Sequence, residues 1–268
     1  MNPKFFDAHT HLHDKAFDSD RAEVWGRMKE CGVRAITVGT DLETSRKALS
    51  LAREHEELWA AIGLHPNDNK EEEFNPHAYA ELAEDSKVVA IGECGLDYYR
   101  GGEDGKKRQK NTFEAQIAFA VAHDKPLMIH CRPSTHGEGT DAHEDTLAIL
   151  AREKEKHGEK IRGVIHFFTA GPNIATRYLG LGFYLSFPGV VTFTEMYDES
   201  VRTAPLNRIF SETDAPYAAP MPYRGKRNEP SYVRFTLEHL AQLKSVPPED
   251  MRAHIGENAK TLFGIPFA

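Results

Sequence analysis

Short apolar runs alternate with amphipathic stretches along the whole chain. Runs at 5–8, 35–39, 58–66, 88–97, 126–132, 163–168, 183–187 and 209–214 carry few interior charges and read as buried strands. Between them, apolar residues recur at helical spacing. Ala22, Val24, Trp25 and Met28 do so over 20–31, and Gly32 stops that helix. Further helices are predicted over 43–55 (capped by Asp41), 76–85, 108–123, 142–157 and 173–181, with closing helices over 229–243 and 248–262. A polar, Gly-rich loop is expected over 100–105. Eight strands with a helix after nearly every one predict an α/β fold, a single (β/α)8 TIM barrel. A doubly wound open sheet competes, but it would usually carry a Gly-rich phosphate loop after its first strand. Here the first strand ends in His9-Thr10-His11. No linker composition interrupts the pattern, so one domain over 1–268 is expected.

The titratable residues fall at one phase of that pattern. His9 and His11 end the first strand, Glu93 the fourth, His130 the fifth, His166 the sixth and Asp214 the eighth. In this barrel the C-terminal strand ends form the active-site face. Residues two apart on a strand point the same way, so His9 and His11 can converge on one point. Six such ligands exceed what one catalytic zinc takes. They suit two divalent ions, with His9, His11 and Asp214 on one, His130 and His166 on the other, and Glu93 as the bridging carboxylate. Such a pair can hold a hydroxide as nucleophile, with Asp214 as the base that takes the water's proton. Mixed imidazole and carboxylate donors suit Zn, Mn, Co or Fe, and Mg where phosphate adds oxygens.

Composition narrows the class. A 268-residue chain with 40% hydrophobic content can bury a large core. Its net charge of -8 excludes a generally basic nucleic-acid coat, so any contact with nucleic acid must be local. Three cysteines without a Cys-x-x-Cys spacing fit a reducing compartment, and a cytoplasmic location is expected. No signal-peptide pattern opens the chain and no apolar run reaches the ~18 residues of a membrane span.

The segments Asp7-Ala8-His9-Thr10-His11-Leu12, Gly63-Leu64-His65-Pro66, Gly92-Glu93-Cys94-Gly95-Leu96-Asp97-Tyr98-Tyr99, Ile129-His130-Cys131-Arg132 and Glu212-Thr213-Asp214-Ala215-Pro216-Tyr217 together resemble the TatD family of metal-dependent deoxyribonucleases. Arg224-Gly225-Lys226-Arg227-Asn228-Glu229-Pro230 and Glu257-Asn258-Ala259 resemble further blocks of that family. The resemblance spans essentially the whole chain. It implies an amidohydrolase-like barrel, a two-metal site and the same six ligands. It also implies 3′–5′ exonucleolytic action on single-stranded DNA. Two departures stand out. His166-Phe167-Phe168-Thr169-Ala170 replaces the family's usual His-Cys-Phe-Ser/Thr-Gly. The segment 133–143 is longer than usual, and its His136 and His143 read as solvated loop residues.

Substrate contacts are expected from Arg132, next to His130, and from the basic loop Arg224, Lys226 and Arg227, because guanidinium matches phosphate oxygens. Tyr98, Tyr99 and Tyr217 follow ligand-bearing motifs and could stack on bases. His65 could orient a phosphate or the nucleophile. The expected function is hydrolysis of DNA phosphodiesters, with DNA as the partner and no membrane or obligate protein partner. The alternative is an amide, ester or lactone hydrolase on the same site, including deacylation of aminoacyl-RNA, because fold alone does not choose the electrophile. A non-catalytic binding module would be marked by a lost ligand, and all six are present.

Overall fold

The computed structural model describes residues 4–67, 73–99, 103–134 and 139–267. Eight parallel strands form one sheet in chain order: β1 (Phe5–Thr10), β2 (Val33–Val38), β3 (Leu58–Ile62), β4 (Val88–Asp97), β5 (Leu127–Arg132), β6 (Gly163–Ile165), β7 (Tyr184–Phe187) and β8 (Ile209–Ser211). The sheet closes on itself. Thr10 bridges Ala215 in parallel register, the Asp214 amide donates to His9 O at 2.9 Å, and the His11 amide donates to Ala215 O at 2.7 Å. The helices among the described residues are α1 (Arg21–Glu30), α2 (Leu42–Glu54), α3 (Pro76–Ala83), α4 (Glu103–Ala122), α5 (Asp141–His157), α6 (Pro172–Gly180), α7 (Asp198–Thr203), α8 (Val233–Lys244) and α9 (Pro248–Phe263). This is a (β/α)8 barrel.

The strands form because their residues are apolar on both faces, and every residue of β1 and β4 is buried. Phe6 of β1 and Phe210 of β8 both meet the ring of Phe263, which seats α9 against the barrel where the sheet closes. Helix α2 starts at a capping box. Asp41 accepts from the Thr44 amide at 2.7 Å, and the Thr44 hydroxyl accepts from the Asp41 amide at 2.9 Å.

Several boundaries differ from the sequence pattern. Helix α4 begins at Glu103, within the loop expected over 100–105, and includes Gly105, where a side chain would meet open space. Residues 100–102 lie outside the described residues, as does His136. Strands β6 and β8 end at Ile165 and Ser211, so His166 and Asp214 lie just beyond the ladder. Left-handed residues follow both strands, Phe167 at φ 48° and Asp214 at φ 56°, and break the extended conformation there, although Phe168 and Ala215 still bond to the neighbouring strands. No helix was expected between β7 and β8. The structure places three short helical segments there, Gly189–Thr192, α7 and Leu206–Arg208. None of the described helices is long and apolar enough to cross a membrane.

Candidate metal centre

The six residues expected at the mouth come together. On one side, His9 Nε2 and His11 Nε2 lie 3.2 Å apart, each within 3.8 Å of Glu93 Oε2 and Asp214 Oδ1. On the other, Glu93 Oε1 faces His130 Nδ1 at 2.8 Å and His166 Nε2 at 3.0 Å. Glu93 thus presents one oxygen to each histidine pair. Glycine makes this approach possible. Gly95 has φ +131°, and a Cβ there would run into His130 O, so β4 can lie close to β5.

The donor chemistry fits divalent ions. His11 Nδ1 lies 2.7 Å from Val38 O. A carbonyl can only accept, so Nδ1 carries the proton and Nε2 keeps its lone pair for the cluster. His9 Nε2 and His11 Nε2 then face each other with a proton or a cation required between them. Protonation behaviour shows the same demand for positive charge. Burial disfavours imidazolium at His11, yet Asp214 and Glu93 outweigh it and raise its pKa to about 9. Burial is likewise overcome at His130 by Asp97 and Glu93, again to about 9, and at His166 by Glu93 and Glu212. Burial would raise Glu93, but the surrounding imidazoles hold it well below the usual carboxylate range. His9 behaves oppositely. Burial, then repulsion from His166, lowers it to about 3, so it is a neutral donor.

Two carboxylates missed in the sequence support the histidines. Glu212 is fully buried. Its Oε1 accepts from the Phe167 amide at 2.7 Å and lies 3.2 Å from His166 Nδ1, which turns His166 Nε2 toward Glu93. Asp97 Oδ2 lies 3.3 Å from His130 Nε2, which leaves Nδ1 for Glu93. Gln109 clamps Asp97 through its backbone, accepting from N and donating to O, both at 2.8 Å. The signal for Asp97 was available, since 93, 95 and 97 share one face of β4. Glu212 gave no such signal, because an acid next to Thr213 and Asp214 reads as rim polarity. A third deep carboxylate, Asp7, accepts from Thr213 N at 2.8 Å and Oγ1 at 2.5 Å and helps join β1 to the end of β8.

His65, Asp97 and His130 also gather closely enough to suggest a further cation. The hydrogen bonding argues otherwise. The Asn67 amide donates to His65 Nδ1 at 3.1 Å, so a neutral His65 carries its proton on Nε2, 3.6 Å from Glu93 Oε1. His65 is therefore a donor aimed into the mouth.

The expected substrate residues divide. Arg132 lies over the ring of Tyr99 at 4.1 Å, and Tyr99 is exposed. Arg224 and Lys226 are exposed, with Arg224 over Phe193 at 4.3 Å. Tyr98 needs correction. Its ring is buried beside Lys106, and its hydroxyl donates to Asp145 Oδ2 at 2.7 Å, so no base can stack on it. Arg227 needs correction too. Its guanidinium is bound by Asp20 at 2.6 and 2.8 Å and by Ala16 O at 2.7 Å, which ties the loop after β8 to the segment after β1. His143 is not a solvated loop residue. It is buried on α5 with Nδ1 3.1 Å from the Tyr178 hydroxyl.

A sequence model of the family described as TatD related DNase matches residues 6–264. The chain is 40% identical over 264 residues to an uncharacterized metal-dependent hydrolase of Bacillus subtilis (strain 168), covering 97% of this chain and 99% of the relative. It is 33% identical over 272 residues to the 3′-5′ ssDNA/RNA exonuclease TatD of Escherichia fergusonii, covering 98% and 100%. Among solved structures, a TatD homolog from Escherichia coli K12 matches with a TM-score of 0.85 at 26% identity, over 99% of this chain and 100% of that one. The phosphotriesterase homology protein of Escherichia coli, solved with phosphate in its active site, matches at TM-score 0.64 and 16% identity over 98% and 100%, a likeness of fold alone.

Proposed function

The chain belongs to the TatD related DNase family and is a metal-dependent hydrolase, and from that premise we propose that it cleaves phosphodiester bonds of single-stranded DNA at a centre of two divalent ions. The observation that carries this reading is the split of Glu93, with one oxygen facing His9 and His11 and the other facing His130 and His166. His9, His11 and Asp214 would hold one ion, His130 and His166 the other, with Glu93 between them. When bound, such ions supply Lewis-acid charge that lowers the pKa of water and neutralises a phosphate.

The chain's own groups do the rest. Asp214 sits at the edge of the cluster on a left-handed residue whose amide is fixed to His9 O. Its carboxylate accepts the proton of the attacking water. His65 offers its Nε2 proton to an oxygen of the phosphate. Arg132, stacked on Tyr99, grips a neighbouring phosphate in two-pronged fashion. The exonuclease name of the Escherichia fergusonii relative supports action from a 3′ end on single strands.

The test is hydrolysis by metal-stripped protein reloaded in turn with Mg, Mn, Co and Zn, on single-stranded DNA, duplex DNA, RNA and a panel of esters and lactones. Metal-dependent release of nucleotides, lost by at least about 1,000-fold in Asp214→Asn with the fold retained, is the expected outcome. Turnover confined to the carbonyl panel would overturn the phosphodiesterase reading and leave a hydrolase of another substrate.

A further inference from the structure

The large hydrophobic side chains left exposed among the described residues are Tyr99, Met196, Tyr217 and Met221, at 40, 63, 57 and 47%. All four lie on segments that follow strands β4, β7 and β8, which is the face holding the metal centre. A protein can scatter single apolar residues over its surface without consequence, but here they share one rim. Three of them belong to the segments after β7 and β8, and those two segments are locked together. The Met221 amide donates to Thr192 Oγ1 at 2.8 Å, and Gly189 sits so close to Ala218 and Pro220 that any Cβ there would collide with them. Tyr217 is braced from both sides. Its amide donates to Asp214 O at 2.8 Å, and its carbonyl accepts from Asn228 Nδ2 at 2.7 Å. Its ring lies edge-on to His11 at 6.2 Å, directly beside the cluster. Exposed Arg224 adds a cation to the same ledge.

A rigid apolar shelf with a cation, adjoining a phosphodiester-cleaving centre, suits one occupant: an unstacked nucleobase whose backbone phosphate is held nearby. We infer that Tyr217, on the ledge whose segments also expose Met221 and Met196, is the platform on which one base of the substrate strand stacks next to the scissile phosphate, and that it makes the enzyme demand unpaired nucleotides. A paired base has no free face to offer, so a duplex end must open before it can dock. This inference rests on the nuclease reading above and names the feature of the substrate that the mouth recognises.

The experiment uses metal-loaded enzyme and short, hydrolysis-resistant phosphorothioate single strands carrying the fluorescent base 2-aminopurine at successive positions. Hydrolysis of an unmodified strand is followed in parallel. The expected result is quenching at one position, lost in Tyr217→Ala and kept in Tyr217→Trp. KM for the unmodified strand should rise about tenfold in Tyr217→Ala, the scale of one base stack. Position-specific quenching is a signal that a merely structural tyrosine would not control. Equal quenching in wild type and Tyr217→Ala, with the unmodified strand still hydrolysed, would overturn the platform alone. Failure of the wild type to hydrolyse any strand with any ion would overturn the nuclease reading and the platform with it.

Discussion

Three histidines at the mouth are each paired with an acceptor that fixes the tautomer. His11 has Val38 O, His130 has Asp97 and His166 has Glu212. Such outer partners typically carry a factor of 10–100 in metal affinity. Glu212→Gln should therefore weaken binding of one ion by roughly 10–100-fold while thermal stability of the metal-free protein changes little, as read by competition with a chelating dye. Unchanged affinity would show that His166 needs no acceptor. His143 makes a different point. Burial keeps it neutral and lowers its pKa to about 4. Unfolded, it would titrate near 6.5. As pH falls from about 6.5 toward 4, the unfolded chain takes a proton that the folded one refuses, so its contribution is complete above that window and lost within it. Urea unfolding with chelator present should show a slope in His143→Gln shallower than wild type by up to about 1.4 kcal/mol per pH unit there. Parallel curves would mean that His143 is protonated in the fold. Neither pairing was legible in the sequence. His143 stood in a polar stretch, and only the packing of α5 on Tyr178 buries it.

At the scale of elements, the strands were legible because apolar runs bounded by charge have one simple explanation in an α/β chain. Their ends were not. β6 and β8 stop before His166 and Asp214, and left-handed residues follow each strand, a backbone feature that no periodicity encodes. The loop after β8 shows the opposite failure. Arg224, Lys226 and Arg227 look alike in sequence, and the structure gives them different work. Arg227 clamps Asp20, and next to it Glu229 takes Arg27 at 2.7–3.0 Å, so this end of the loop is a strut. Replacing Arg224 and Lys226 together with Ala should weaken single-strand binding and lower the slope of log affinity against log salt by about one. Arg227→Ala should instead lower stability with a smaller change in that slope. If Arg227→Ala alone flattened the slope, its charge would be a phosphate grip after all.

The whole molecule is a closed barrel whose chemistry gathers at one end, drawn from β1, β4, β5 and the segments after β6 and β8. This much was legible, because six ligand-type residues at the same phase of eight strands leave few other arrangements. The proposed DNA cleavage must also be reconciled with a net charge of -8. On the proposed nuclease reading the attraction would be local, through the proposed ions and a few rim residues, and the total charge would not decide it. Two ions at Glu93 are the centre of the account, and counting them against activity tests it most directly. Metal-stripped protein would be titrated with Mn, with bound ions per chain and rate of single-strand hydrolysis measured on the same samples. Two ions per chain are expected, with activity rising as the second site fills, and Glu93→Gln should bind more weakly at both sites and lose turnover. Full activity at one ion per chain, or a Glu93→Gln variant that still holds two ions with wild-type affinity, would contradict the bridged centre.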